Sequence, residues 1–324
     1  MIAFFGLLAG FALLVCGANW FVTGASGLAA RLRVPTIIIG LTVVAFGTSA
    51  PELAVSMTAS VQGANEIALG NVIGSNLFNL LAVVGISAMA APLAAPLVTP
   101  PELLRRDWIA SIGASGLLLV FALVGGEISR LDAACLLICF ASVLILQINH
   151  ATKQRLCADD LQLPEDTLPP KQPDPAPLSK RKIALYSLVG LGCIILGGQA
   201  SVTAASSIAR QFGLSESLIG LTIVAIGTSL PELVTSVIAT RRGETDIAIG
   251  NVIGSNLFNA LFILGISCLI CPIGASIYLV TDTLLLLIIS VGMYALAKAN
   301  HLHRTSGALL SLGYLGYTLW VVLR

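Results

Sequence analysis

Glu52 and Glu232 are carboxylates set in stretches that hold no lysine or arginine to neutralise them. Glu52 stands in GLTVVAFGTSAPEL at 40–53, and Glu232 stands in GLTIVAIGTSLPEL at 220–233. An ionised carboxylate in an apolar span is too costly to keep for packing alone, so both are read as functional. Their neighbours supply oxygen. Thr48, Glu52 and Ser56 recur every fourth residue and share one helix face, with Ser49 beside them. Asn71, Ser75 and Asn79 make a second polar stripe at the same spacing. The matching set in the second half is Thr228, Ser229, Glu232, Ser236, Asn251, Ser255 and Asn259. Hard cations such as Na⁺ and Ca²⁺ take oxygen ligands, about six to eight of them for Ca²⁺. Sulfur and imidazole donors are missing from both motifs, which argues against copper or zinc.

The prolines bear on the same chemistry. Pro51 has no N–H, so the Gly47 carbonyl loses its usual helical donor; Pro231 does the same to Gly227. The carbonyls around Ala45 to Thr48 are therefore expected to be open to other partners. An unsatisfied carbonyl in hydrocarbon costs several kcal/mol, which a desolvated cation would offset. Other residues have structural readings. Gly70/Gly74 and Gly250/Gly254 are GxxxG pairs, whose default is close helix packing. Ser56 and Ser236 fit either an ion contact or a bond to their own backbone. Asn76 and Asn256 fall off the stripe and read as interhelical hydrogen bonders.

The elements that must position these residues are duplicated. ALGNVIGSNLFN at 68–79 returns as AIGNVIGSNLFN at 248–259, and about 30 of the 48 positions from Gly40 to Ser87 match their partners at an offset of 180. Apolar runs of membrane length number about ten. They lie near 4–30, 35–61, 66–91, 103–125, 130–149, 183–210, 215–240, 246–271, 277–298 and 304–323. Residues 150–182, rich in proline and charge, separate five runs from five. The expected fold is an all-α membrane protein. It has a first five-helix repeat at 1–149, a cytoplasmic linker at 150–182 and a second repeat at 183–324, with helices broken at the midplane. An odd number of spans per half inverts the second copy. Placing the N-terminus outside puts Arg31, Arg33, Arg105, Arg106, Lys180, Arg181, Lys182, Arg241 and Arg242 on the inner side, as the positive-inside rule asks.

Composition agrees with lipid as the solvent. The chain is 56% hydrophobic and 10% charged, too few charges to cover a water-soluble surface. A net charge of +1 implies no nucleic-acid partner. The 7 cysteines show no paired metal-site spacing beyond the lone Cys268/Cys271 pair. The first segment lacks a basic leader and reads as a retained helix.

The duplicated blocks GTSAPE and GTSLPE, each followed by GNVIGSNLFN, resemble the alpha-repeats of the cation/Ca²⁺ exchanger superfamily, in its short prokaryotic Na⁺/Ca²⁺ exchanger-type form. The resemblance implies that Glu52 and Glu232 bind Ca²⁺ with the backbone carbonyls of Thr48 and Thr228. It implies Na⁺ ligation by the carbonyls of Ala45 and Ala225 and by Ser49, Ser229, Ser75 and Ser255. Asn79 and Asn259 would flank a central position, so this chain brings two carboxylates where some relatives bring three. It further implies an antiporter in the cell membrane of a prokaryote, moving about three Na⁺ per Ca²⁺ and so responding to membrane potential. The first and sixth helices would slide against the rest. Ca²⁺ and Na⁺ are the transported ions; no cofactor and no protein partner is implied.

Other readings stay open. A H⁺/Ca²⁺ exchanger or a K⁺-dependent Na⁺/Ca²⁺ exchanger shares the chemistry. A cation channel is the next class, though duplicated midplane sites suit alternating access better than a pore. An enzyme is the weakest reading, because His150, His301 and His303 lie at helix ends and no nucleophile–base set is present.

Overall fold

The computed structural model describes residues 2–92, 97–160, 178–212, 225–274, 276–300 and 302–323. Among them the chain is almost entirely helical. The helices are α1 (Ile2–Leu32), α2 (Thr36–Thr48), α3 (Ala50–Val61), α4 (Ile67–Ala90), α5 (Pro101–Val124) and α6 (Arg130–Asp160). They continue with α7 (Lys180–Gln211), α8 (Ala225–Thr228), α9 (Leu230–Arg241), α10 (Thr245–Ile270), α11 (Ile277–Lys298) and α12 (Arg304–Leu323). Among the described residues 8 single helices are long and apolar enough to cross a membrane, and the bent pair α2–α3 raises the number to 9. The expected ten spans are thus met only in part, because 213–224, which would open the seventh, lies outside the described residues. Two further departures are small. The helix begun at Arg130 runs on to Asp160, into the expected linker, whose proline-rich part at 161–177 lies outside the described residues. Glu127–Ile128 (β1) pairs antiparallel with Ile273–Gly274 (β2), two residues each, too short for any alternation to announce.

Burial separates a centre from a periphery. In α4 and α10, 83% and 78% of the most apolar window is buried, against 17% in α6 and 11% in α12. The two central helices therefore need polar residues only where something inside the protein meets them. The outer helices turn Val124, Leu131, Leu188 and Leu309 outward, a surface that only lipid solvates cheaply.

Helix breaks follow from the sequence. Pro51 and Pro231 each stand in the first turn of their helix, where a missing N–H costs nothing. The residues just before, Ser49 (φ −84°, ψ 8°) and Ser229 (φ −92°, ψ 5°), leave helical geometry in the same way. The first break bends α2 against α3 by 47°. Both following helices end alike. Gly63 and Gly243 adopt positive φ, and the next N–H, of Ala64 or Glu244, returns to the carbonyl of Ala59 or Ala239. Wide π turns occur at Gly40–Val44, Asn79–Val83 and Phe258–Ile263, each beside the acidic motifs.

Several contacts bring backbones unusually close, two of them beside the acidic motifs or their flanking helices. A Cβ at Gly17 of α1 would stand 2.8 Å from the Gly190 carbonyl of α7, and one at Gly190 would stand 2.6 Å from the Phe21 nitrogen. A Cβ at Gly250 of α10 would stand 2.8 Å from the Ile37 carbonyl of α2. The second GxxxG pair is therefore a packing device. The positions equivalent to Ile37 and Leu41 in the second half fall at 217 and 221, outside the described residues, so the first pair has no described counterpart to meet.

Candidate functional site

Glu52 and Glu232 are fully buried, one turn beyond their helix breaks. No basic side chain pairs with either among the described residues; their partners are hydroxyls. Ser229 Oγ donates to Glu52 Oε1 at 2.9 Å, and Ser49 Oγ donates to Glu232 Oε1 at 2.8 Å. Each carboxylate is thus held by the serine at the other repeat's break. Ser75 and Ser255 approach Glu52 and Glu232 at 3.4 Å. Ser75 also meets Ser229 at 2.8 Å, and Ser255 meets Ser49 at 3.0 Å. A hydroxyl has one proton. The consistent assignment runs from Ser75 to Ser229 to Glu52, and from Ser255 to Ser49 to Glu232.

Around this core the same reciprocity continues. Thr48 Oγ1 donates to Asn251 Oδ1 at 3.0 Å, and Thr228 Oγ1 to Asn71 Oδ1 at 3.4 Å. Asn71 Nδ2 donates to the Glu52 carbonyl at 3.2 Å and to Ser56 Oγ at 2.9 Å. Asn251 does the same for Glu232 and Ser236, at 3.4 and 3.0 Å. Ser56 and Ser236 also face the carbonyls of Ala68 and Ala248, which ties α3 to α4 and α9 to α10. Asn71 and Asn251 belong to the site as props for the glutamate backbone. Their place on the polar stripe was the signal for them.

Of the expected ligands, Thr48, Ser49, Glu52, Ser75 and Asn79 meet Thr228, Ser229, Glu232, Ser255 and Asn259 in one buried cluster. Ala45 lies beside it, but its carbonyl is not open as the proline argument expects. It accepts from the Ser49 N–H at 3.0 Å and shares the single Thr48 Oγ1 proton, at 3.3 Å, with Asn251 Oδ1. The reason is local: the break falls at Ser49, so the Ala45–Thr48 turn still closes on itself. Ala225 opens α8, and the residues before it lie outside the described set.

The unsatisfied atoms define the chemistry. Among the described residues Glu52 Oε2, Glu232 Oε2, Asn79 Oδ1 and Asn259 Oδ1 are buried and find no hydrogen-bond partner. All four are acceptors. Buried polar groups are normally paired, and leaving them unpaired costs energy that a cation would offset. Among the described residues no three His, Cys, Asp or Glu side chains gather, so the fixed charge here is that of two carboxylates. Hydroxyl, amide and carboxylate oxygens without sulfur or nitrogen donors suit a hard cation.

Membrane-length helices around a buried, acceptor-rich acidic centre define an integral membrane ion transporter. The family model described as sodium/calcium exchanger protein matches residues 2–149 and 182–323, so the chain belongs to the sodium/calcium exchanger family. CaxA of Alkalimonas amylolytica is 38% identical over 98% of each chain. The sodium/calcium exchanger MaX1 of Methanosarcina acetivorans is 33% identical over 83% of each chain. A solved structure of the sodium-calcium exchanger NCX_Mj, soaked with zero Na⁺ and Ca²⁺, superposes with a TM-score of 0.82 at 29% identity, covering 99% of each chain.

Proposed function

We propose that the chain is a secondary active antiporter that exchanges Ca²⁺ for Na⁺ across the cell membrane by alternating access. The observation that carries this reading is the set of four buried, partnerless acceptor oxygens on Glu52, Glu232, Asn79 and Asn259. Two carboxylates balance one Ca²⁺. The same oxygens, with Ser49, Ser229, Ser75, Ser255 and the carbonyls of Thr48 and Thr228, suit several Na⁺ at overlapping positions. Like charges cannot share those ligands, so occupancy by one ion excludes the other, and that exclusion is the coupling. Use of the Ala45 carbonyl by Na⁺ requires Thr48 Oγ1 to leave it for Asn251, its other partner. With about three Na⁺ against one Ca²⁺ each cycle moves charge.

The reciprocal bonding of the halves supports two inverted repeats, 1–149 and 183–324, joined by a cytoplasmic linker with the N-terminus outside. The glycine-lined contact of α1 with α7 is smooth, and none of the proposed ligands comes from either helix, which suits sliding of this pair past a fixed site. The test is Ca²⁺ uptake into vesicles of purified protein loaded with Na⁺. Uptake should require the outward Na⁺ gradient and rise when a K⁺ diffusion potential offsets the charge moved. Uptake that persists without Na⁺, or that a proton gradient alone drives, defeats the proposal.

A further inference from the structure

We infer that Asn76 and Asn256 are positioning residues: a relay that starts on two backbone carbonyls decides which end of Asn259 and Asn79 is left free. The inference deepens the reading proposed above and rests on it.

The two ends of an asparagine amide have almost the same shape and opposite roles. Oxygen accepts and nitrogen donates. Which end faces a site is set by what the other end meets. A backbone carbonyl only accepts, so it fixes the choice. Asn76 Nδ2 donates to the Asn256 backbone carbonyl at 3.2 Å. Turning Asn76 over would put oxygen against oxygen. Its Oδ1 must then face the other way, where it accepts from Asn259 Nδ2 at 3.1 Å. Asn259 is left with Oδ1 as its unpartnered end. The mirror relay runs through the Asn76 carbonyl, which accepts from Asn256 Nδ2 at 3.5 Å. Asn256 Oδ1 accepts from Asn79 Nδ2 at 3.1 Å, and Asn79 Oδ1 is left free. All four side chains are buried.

The relay explains why GSN precedes LFN in both copies. Ser75 Oγ also accepts from Asn259 Nδ2, at 3.1 Å, and with its own proton given to Ser229 it selects the same end, so Asn259 is held twice. Asn79 Nδ2 has Asn256 alone among the described residues, so Asn79 depends on the relay more than Asn259 does. The result is two extra oxygens for a cation with no extra charge. Without the relay the Asn79 amide can present N–H, which repels a cation.

The test uses the full chain, with equilibrium ⁴⁵Ca²⁺ binding in Na⁺-free detergent and Na⁺-driven uptake in vesicles. Asn256→Leu keeps the volume and removes both the donor and the acceptor. Its half-saturation for Ca²⁺ should rise about tenfold or more. Asn79→Asp is made alone and in the same variant; its added charge raises affinity in both, and in its presence Asn256→Leu should cost less than about threefold, because a carboxylate presents oxygen whichever way it turns. A merely structural Asn256 would cost the same factor with or without Asn79→Asp. Size-exclusion profiles check folding. If Asn256→Leu does not fold, Asn256→Met with and without Asn79→Asp makes the same comparison. Wild-type affinity in the folded single variant, or an equal loss with Asn79→Asp present, overturns the relay while leaving the exchanger reading standing. Failure of the wild type to bind Ca²⁺ overturns both.

Discussion

Removing one charge from the pair is the most direct test of the site. Glu52→Gln keeps the shape and one acceptor oxygen but leaves Ca²⁺ half neutralised. A Ca²⁺–oxygen distance of about 2.4 Å and an effective dielectric constant of about 20 put the lost attraction between a doubly charged ion and one negative charge near 14 kcal/mol. The glutamine dipole and local relaxation recover part of that, and breaking one partner of a buried charged set typically costs about 3–5 kcal/mol. About 4 kcal/mol corresponds to a factor of roughly 10³ in affinity. The structure adds a sharper demand. Glu52 and Glu232 are equally buried and have matching contacts, at 2.9 and 3.4 Å for one and 2.8 and 3.4 Å for the other. Glu232→Gln should therefore weaken Ca²⁺ binding by the same factor to within about threefold. Equilibrium ⁴⁵Ca²⁺ binding in detergent reads both variants without transport. An affinity for either variant within tenfold of wild type, or one variant silent and the other normal, refutes the shared-ion argument.

Four further substitutions separate packing from binding. Gly254→Val drives a Cβ to 2.7 Å from the Ala45 Cβ and still closer to the Leu41 carbonyl. It should lower stability by about 1–3 kcal/mol and weaken Ca²⁺ binding, because α2 carries Thr48. Gly292→Ala, with open space around it, should melt as the wild type does. Gly17→Val should abolish uptake in vesicles yet spare Ca²⁺ binding in detergent, since α1 holds no ligand; equal loss of both would remove the sliding role from the α1–α7 contact. Asp107→Asn should cost about 1 kcal/mol in a thermal melt and leave Ca²⁺ affinity unchanged. Asp107 is buried against Arg106 at 2.9 Å and Gln147 at 3.0 Å, but Arg106 is partly exposed and its pairing is screened.

Much of the architecture was legible because membranes impose simple rules. Apolar run length marked the helices, and Pro51 with its copy Pro231 marked the breaks, since a residue without an N–H has one comfortable place in a helix. The duplication at an offset of 180 ties the two acidic motifs together. Features that depend on a few atoms were not legible. The β1–β2 pair is two residues long, and the Ala45 carbonyl is occupied because its turn closes one residue before the break.

The least legible feature is the one that matters most for the chemistry. Helical spacing sorts residues within one helix, so it places Ser49 beside Glu52 and Ser229 beside Glu232. The structure exchanges them: Ser49 serves Glu232, and Ser229 serves Glu52. The break at Ser49 turns its hydroxyl off the Thr48–Glu52–Ser56 face, and docking of the second half supplies the carboxylate it meets. Such a crossing cannot be read from periodicity, because it belongs to the contact between the halves. It has an energetic consequence. Within its own half each glutamate has only Ser75 or Ser255, at 3.4 Å, and its shorter bond arrives with the other half. The site and the interface must therefore form together. A loosened interface should disturb cation binding before it disturbs the helices, as Gly254→Val is expected to do.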